Sequence, residues 1–176
     1  ARAGHGGALL LCLDDAMAEI ERALLLLREV NSYKWHDELL DTGDEYELIR
    51  FIDRNVHPTY LRLVEGVFAP MAKIVAHFSR ADRMAGTQGL DVWAIVQELS
   101  SGPFRLLTES YRHTVRNGIA HGGITYGHFE IRYRDKKGNE EIIGTPEMVR
   151  LCDDLLDTCN GLAAAIKVFS ITHQAK

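Results

Sequence analysis

"VRNGIAHGGITYGHFEIRYRDKKGNEEIIGTPEMV" occupies residues 115–149, and the spacing of its apolar residues changes twice. Upstream, "FRLLTESYRHTVRNGIAH" keeps a helical period, and Pro103 suits the first turn of the helix that this predicts. From Ile124 the period falls to two. "ITYGHFEIRYR" and "EEIIGT" flank "DKKGN", the pattern of a β-hairpin over about 124–144. At Thr145 the helical period returns, with Thr145 as N-cap, Pro146 at the first helical position and Glu147 in the first turn.

The rest of the chain reads as helix. Leu9, Leu13, Met17, Ile20, Leu24, Leu27 and Val30 recur at spacings of three and four, and Leu10, Leu11, Leu25 and Leu26 widen that stripe. A stripe this wide belongs to a helix central in its bundle or shared with a second subunit, and the core explanation is the expectation. Residues 33–56 read as two short helices broken at "DTGDE", with His57 and Pro58 closing that part. A long helix follows from Thr59, which Pro70 should kink or divide. After a loop at "MAGTQG" (84–89), "DVWAIVQEL" resumes as a helix with Asp91 as N-cap. Trp35, Trp93, Phe68 and Phe78 are expected in the core. The fold class is mainly all-α, a compact helical bundle with a small β-hairpin before its C-terminal helix. It forms one domain over residues 1–176, with "ARAGHGG" (1–7) read as a tail.

Composition bounds the function. A chain of 176 residues with 46% hydrophobic and 26% charged residues has the balance of a soluble globular domain. The leucine-rich run at 8–27 is interrupted by Asp14, Asp15, Glu19, Glu21 and Arg22, so no membrane span is expected there. Cys12, Cys152 and Cys159 are read as buried thiols of a cytoplasmic protein; the last two lie about 10 Å apart along one helix, too far for a disulfide. The eight histidines form no HxxxH or HExxH pair, so neither a metal nor another cofactor is expected. The net charge of −5 is unevenly divided: residues 1–103 carry −6, residues 104–137 carry +4 and residues 138–176 carry −3. A basic island on an acidic body suits phosphate binding at one place.

Inside that island, "RNGIAH" places Arg116 and His121 five residues apart. Arginine offers a permanent planar fork of donors for a phosphate and for charge developing in a transition state. Histidine can take or give a proton near neutrality. RNA scission by the RNA's own 2′-hydroxyl needs both functions and no metal. On an unbroken helix, however, the two side chains point roughly 140° apart. They converge if the helix loosens at Gly118, if it ends before His121, or if a second subunit completes the site.

Arg-x4-6-His with a polar residue directly after the arginine, late in a compact helical bundle, resembles the HEPN superfamily. "RNGIAHG" is similar to the "RN-x-x-AH-G" form of many bacterial members. The resemblance implies a homodimer with a composite, metal-independent ribonuclease site, often in toxin–antitoxin, abortive-infection or CRISPR-linked defence. It implies catalytic roles for Arg116 and His121, with Asn117 orienting the histidine or the phosphate. It also implies RNA as substrate and an antitoxin or larger defence protein as a possible partner. Toxins of the family that pair with a nucleotidyltransferase antitoxin carry tyrosine two positions after the histidine, where this chain has Gly123.

Around the motif, Arg112 lies one helical turn before Arg116 and extends the candidate phosphate site. His113, four residues before Asn117, is read as a surface residue. Tyr126, His128, Arg132 and Arg134 alternate along the hairpin, so they should share one side, where Tyr126, Arg132 and Arg134 could grip RNA by stacking and charge. A plain helix terminus, with Gly122 as cap, accounts for the same residues without chemistry. The alternative function is a non-catalytic module for dimerisation or for docking into a larger defence assembly.

Overall fold

The first helix, α1 (Gly4–Asn31), starts inside the segment read as a tail. The computed structural model describes residues 4–33, 44–81, 83, 85 and 89–174, so Trp35, the first of the two short helices and most of the "MAGTQG" loop lie outside the described residues. Along α1 the seam runs through Leu13, Ile20, Ala23, Leu27 and Val30. Met17 and Leu24, expected in that seam, are exposed, and Leu25 is 68% exposed, so the core does not absorb the whole wide stripe. Small residues take their place because α1 packs closely on the neighbouring helical run. At Gly66 of that run an added Cβ would lie 2.5 Å from a Leu26 methyl.

That run extends from Glu45 to Ala81 without a stop at His57–Pro58 or a division at Pro70, contrary to the sequence expectation. It comprises α2 (Glu45–Phe51), a π-helical turn (Ile52–Val56), α3 (His57–Arg62), a second π-helical turn (Leu63–Phe68) and α4 (Ala69–Ala81). Proline in a helix clashes with the carbonyl four residues back. Those residues, Arg54 for Pro58 and Gly66 for Pro70, both lie in the π-helical turns, whose wider winding relieves the clash. Asp44 caps the run, accepting a hydrogen bond from the Tyr46 N–H at 2.9 Å. Val56, Tyr60, Leu63, Val64, Val67, Phe68 and Met71 are fully buried along it.

Helix α5 (Val92–Ser100) packs on α4 and is capped as expected, Asp91 accepting from the Ala94 N–H at 2.8 Å. Next comes α6 (His113–His121), followed by an antiparallel three-stranded meander, β1 (Ile124–Tyr126), β2 (Glu130–Arg134) and β3 (Glu140–Gly144). The expected hairpin about "DKKGN" is present as β2–β3, and β1 adds a third strand to it. "GHF" turns the chain back on itself, with Phe129 at φ 53° and its N–H held by the Glu45 carboxylate. Ile131, Tyr133 and Ile143 face the helices; Arg132 and Arg134 face outward.

Helix α7 (Thr145–Gln174) closes the bundle antiparallel to α1, with Asn31 and Asn160 exchanging side-chain hydrogen bonds at 2.9 and 3.1 Å. Thr145 does not cap it through its hydroxyl, which is buried without a partner among the described residues. Its N–H instead donates to the Phe129 carbonyl at 3.1 Å, tying α7 to the β1–β2 turn. By length and composition alone α7 could cross a membrane, yet its first half buries Met148, Cys152, Leu155 and Cys159 in the bundle. The architecture is mainly α with a small antiparallel sheet at one end.

Candidate functional site

Helix α6 was expected to begin near Pro103. The chain instead makes a 3-10 turn at Arg105–Thr108 and reaches α6 through an extended Arg112. Tyr60 explains the break. Its buried hydroxyl donates to the Ser110 carbonyl at 3.0 Å and accepts the Arg112 N–H at 2.9 Å, satisfying backbone groups that a longer helix would have paired internally. The start of α6 is therefore fixed by a side chain on α3.

On α6, Arg116 and Asn117 belong to one polar chain. The Arg116 Nη1 donates to Asn117 Oδ1 at 2.6 Å, which turns the Asn117 amide nitrogen toward His113 Nε2 at 3.0 Å. His113 is then the neutral Nδ1–H tautomer, and it donates to the Tyr111 hydroxyl at 3.1 Å. Burial lowers the His113 pKa, with Arg116 and Lys137 adding to the effect and Asp135 and Asp91 opposing it. His113 is thus half-buried and bonded at both nitrogens, a correction to its reading as a surface residue. Arg116 also forms an ion pair with Glu65, reaching back from the second π-helical turn.

His121 stands apart from this chain. It is exposed at the last position of α6 and makes no hydrogen bond or ion pair among the described residues. Within the subunit Asn117 is bonded to Arg116 and His113. The helix is unbroken through Gly118, so Arg116 and His121 diverge within one subunit, and two of the three ways to bring them together are removed. Gly118 does not loosen the helix but lets it approach the sheet: an added Cβ would lie 3.0 Å from the Tyr133 Cβ. Gly122 provides the left-handed cap at φ 72°, and Gly123 donates to the Gly118 carbonyl at 2.8 Å and accepts the Arg134 N–H at 2.7 Å. The glycines of the motif thus serve the fold.

The candidate RNA-binding residues divide. Tyr126, Arg132 and Arg134 border one groove of about 470 Å³ beside Gly122 and Gly123, where α6 ends. They do not share one side of the sheet as expected, because Tyr126 pairs with Ile131 and so lies on the inward face. Arg132 and Arg134 project outward and pair with Glu140 at 3.6 and 2.7 Å. Arg112 borders a different groove, with Glu109, Glu147, Asp154 and Asp157 around it, and its closest carboxylate is Glu141 at 3.9 Å.

Behind Tyr126 lies a polar chain that periodicity could not reveal. The Tyr126 hydroxyl donates to Asp53 and so can only accept from His57 Nδ1, at 3.4 Å. His57 Nε2 is then the acceptor for the Tyr133 hydroxyl at 2.7 Å. Burial holds the His57 pKa down to about 4 against the opposing pull of Asp53. This neutral histidine pins the sheet to the boundary between the first π-helical turn and α3.

Glu65 and Trp93 were also missed. Trp93 is 42% exposed, not core, and lies against the His113 ring at 4.3 Å between centroids. Phe78, likewise expected in the core, sits half out of it with its ring edge-on to Phe169, whereas Phe68 is fully buried. Cys152 and Cys159 are buried free thiols and Cys12 is partly exposed. Among the described residues no three His, Cys, Asp or Glu side chains are grouped to hold a metal ion. No family model, no curated protein and no solved structure matches the chain.

Proposed function

We propose that the chain is a metal-independent endoribonuclease of the HEPN type, acting as a homodimer in cytoplasmic defence or as a toxin restrained by a partner protein. The observation that carries this reading is the division of α6 into two half-sites. Arg116 and Asn117 are gathered on one side with His113, while His121 is exposed at the helix end and unpartnered among the described residues. Apposing two copies about a twofold axis would complete both sites. The exposed Leu24 and Leu25 of α1 are apolar surface available for such contacts.

In the proposed reaction His121 moves the proton between the 2′-hydroxyl, or the 5′-oxygen leaving group, and solvent. Arg116 stabilises the charge on the phosphorane-like transition state, and Asn117 fixes the plane of its guanidinium. Glu65 occupies the guanidinium in the free enzyme, and the RNA phosphate takes its place. The products carry 2′,3′-cyclic phosphate and 5′-hydroxyl ends. The same Arg116–Glu65 ion pair favours the second reading, a non-catalytic interaction module, because it already neutralises the only cation of the motif.

The test is cleavage of mixed cellular RNA in EDTA by the wild type, Arg116→Ala, His121→Ala and an equal mixture of the two variants refolded together. The expected result is cleavage by the wild type, none by either variant, and recovery of about a quarter of wild-type activity in the mixture. Half of the dimers would then be mixed, and one of their two sites would hold both residues. Cleavage without recovery places Arg116 and His121 in one subunit. No cleavage by the wild type supports the interaction module.

A further inference from the structure

Trp93 stands in the first turn of α5 with its ring in tilted contact with His113, 4.3 Å between centroids and 46° between planes, and 42% of its surface open, although the rest of α5 buries Val92, Ile95, Val96 and Leu99. A large indole left half outside a well-packed helix leaves stacking surface unused. Its neighbours are polar. His113 is bonded to Asn117 and Asn117 to Arg116, so the indole lies at one end of the chain that holds the candidate phosphate-binding arginine. On the sheet side α6 packs on β2 and β3, and the turn between those strands carries Lys137.

The charged groups here are of both signs, Arg116 and Lys137 beside Asp91, Asp135 and Glu65. The carboxylates that approach His113 are committed to the backbone: Asp91 caps α5, and Asp135 accepts from the Lys137 N–H at 2.8 Å and the Asn139 N–H at 2.9 Å. Glu65 is paired with Arg116. Lys137 has no ion-pair partner among the described residues. An exposed aromatic face flanked by an arginine and an unpaired lysine has the composition of a stacking platform for single-stranded nucleic acid.

We infer that Trp93 is a base-binding platform, on which one base of a single-stranded RNA stacks while its flanking phosphates reach Arg116 and Lys137. This rests on the ribonuclease reading for the class of its ligand and adds a subsite to it. Stacking tolerates every base, so the platform selects for unpaired RNA over duplex and leaves sequence preference weak. His113 supports the indole from beneath and is a positioning residue.

The test uses Trp35→Phe protein, in which Trp93 is the sole indole, titrated with a 2′-O-methyl oligoadenylate of twelve nucleotides, which lacks the attacking hydroxyl. Saturable quenching of Trp93 emission is expected. Trp93→Leu, shown by circular dichroism to be folded, should weaken binding of a labelled form of the same oligonucleotide by roughly five- to hundredfold, and Trp93→Phe by much less. In cleavage assays Trp93→Leu should raise KM far more than it lowers kcat. Unquenched emission together with wild-type affinity in Trp93→Leu overturns the platform and leaves the ribonuclease reading standing. A wild-type protein that neither binds the oligonucleotide nor cuts RNA overturns both.

Discussion

Alanine at Gly118 and alanine at Gly161 are the same substitution in two helices, and the structure assigns them opposite signs. Replacing glycine by alanine inside a helix gains about 1 kcal/mol from lower backbone entropy in the unfolded chain. At Gly161, on the exposed face of α7, an added Cβ meets nothing within 4 Å, so that gain should appear in full. At Gly118 the new methyl would lie 3.0 Å from the Tyr133 Cβ, 3.2 Å from its Cδ1 and 3.3 Å from the Gly123 carbonyl oxygen. Carbon atoms in good contact sit about 3.5–4.0 Å apart, so at least one contact must open by about half an ångström.

Tyr133 has little freedom to retreat. It is fully buried, its strand is paired on both sides, and its hydroxyl is bonded to His57. Overpacking of this kind costs typically about 1–3 kcal/mol, which outweighs the helical gain. Gly118→Ala should therefore destabilise the protein by about 1 kcal/mol while Gly161→Ala stabilises it by about the same amount. Urea unfolding followed by far-ultraviolet circular dichroism, with unchanged m-values, measures both. If Gly118→Ala stabilises as much as Gly161→Ala, α6 does not pack on Tyr133, and the account of this glycine as a contact with the sheet is wrong.

Gly123→Ala should cost more than either, at least about 3 kcal/mol, because its Cβ would overlap the Arg134 carbonyl oxygen and break the hydrogen bond that starts the sheet; a loss below 1 kcal/mol on urea unfolding would contradict the register of β1 on β2. Tyr60→Phe leaves the Ser110 carbonyl and Arg112 N–H without their partner, and about 2 kcal/mol should be lost, with amide exchange of α6 accelerating more than that of α7. His57 is neutral in the fold down to about pH 4 but takes up a proton in the unfolded chain below about pH 6.5. Its contribution to stability is therefore present at neutral pH and lost as pH falls through that window, by about 1 kcal/mol between pH 7.5 and 5.5. His57→Gln should remove this slope, and an identical slope in both proteins on urea unfolding refutes the assignment.

The legible part of the fold was whatever periodicity and capping encode. The helix–sheet–helix order after residue 104, the Asp91 cap and the buried cysteines follow from local pattern, and local pattern is where they were found. What could not be read depends on partners distant in sequence. Pro58 and Pro70 ought to interrupt a helix, yet π-helical turns absorb both, and nothing local in the sequence announces a π turn. The start of α6 is set by Tyr60, some fifty residues away, so propensity alone ran that helix back to Pro103. Ala23, not Leu24, lies in the α1 seam because the distance between helices, not side-chain hydropathy, decides which residue fits.

The candidate site shows the same division at the scale of a few residues. In "RNGIAHGG" the three glycines are each explained by a contact or a backbone angle, and no chemistry is needed to justify them. Arg116 and Asn117 are held by Glu65 and His113, and His121 ends the helix, so the chemistry assigned to them rests on the proposal. In the proposed reading Arg116, held by two acceptors, and His121, exposed and without a partner among the described residues, carry that chemistry. Because an unbroken α6 sends Arg116 and His121 in different directions, the ribonuclease reading requires a second subunit, where the sequence left two other routes open. The reading is thereby narrower than the motif alone allowed. A protein that cut RNA as a strict monomer would contradict it as surely as one that did not cut at all.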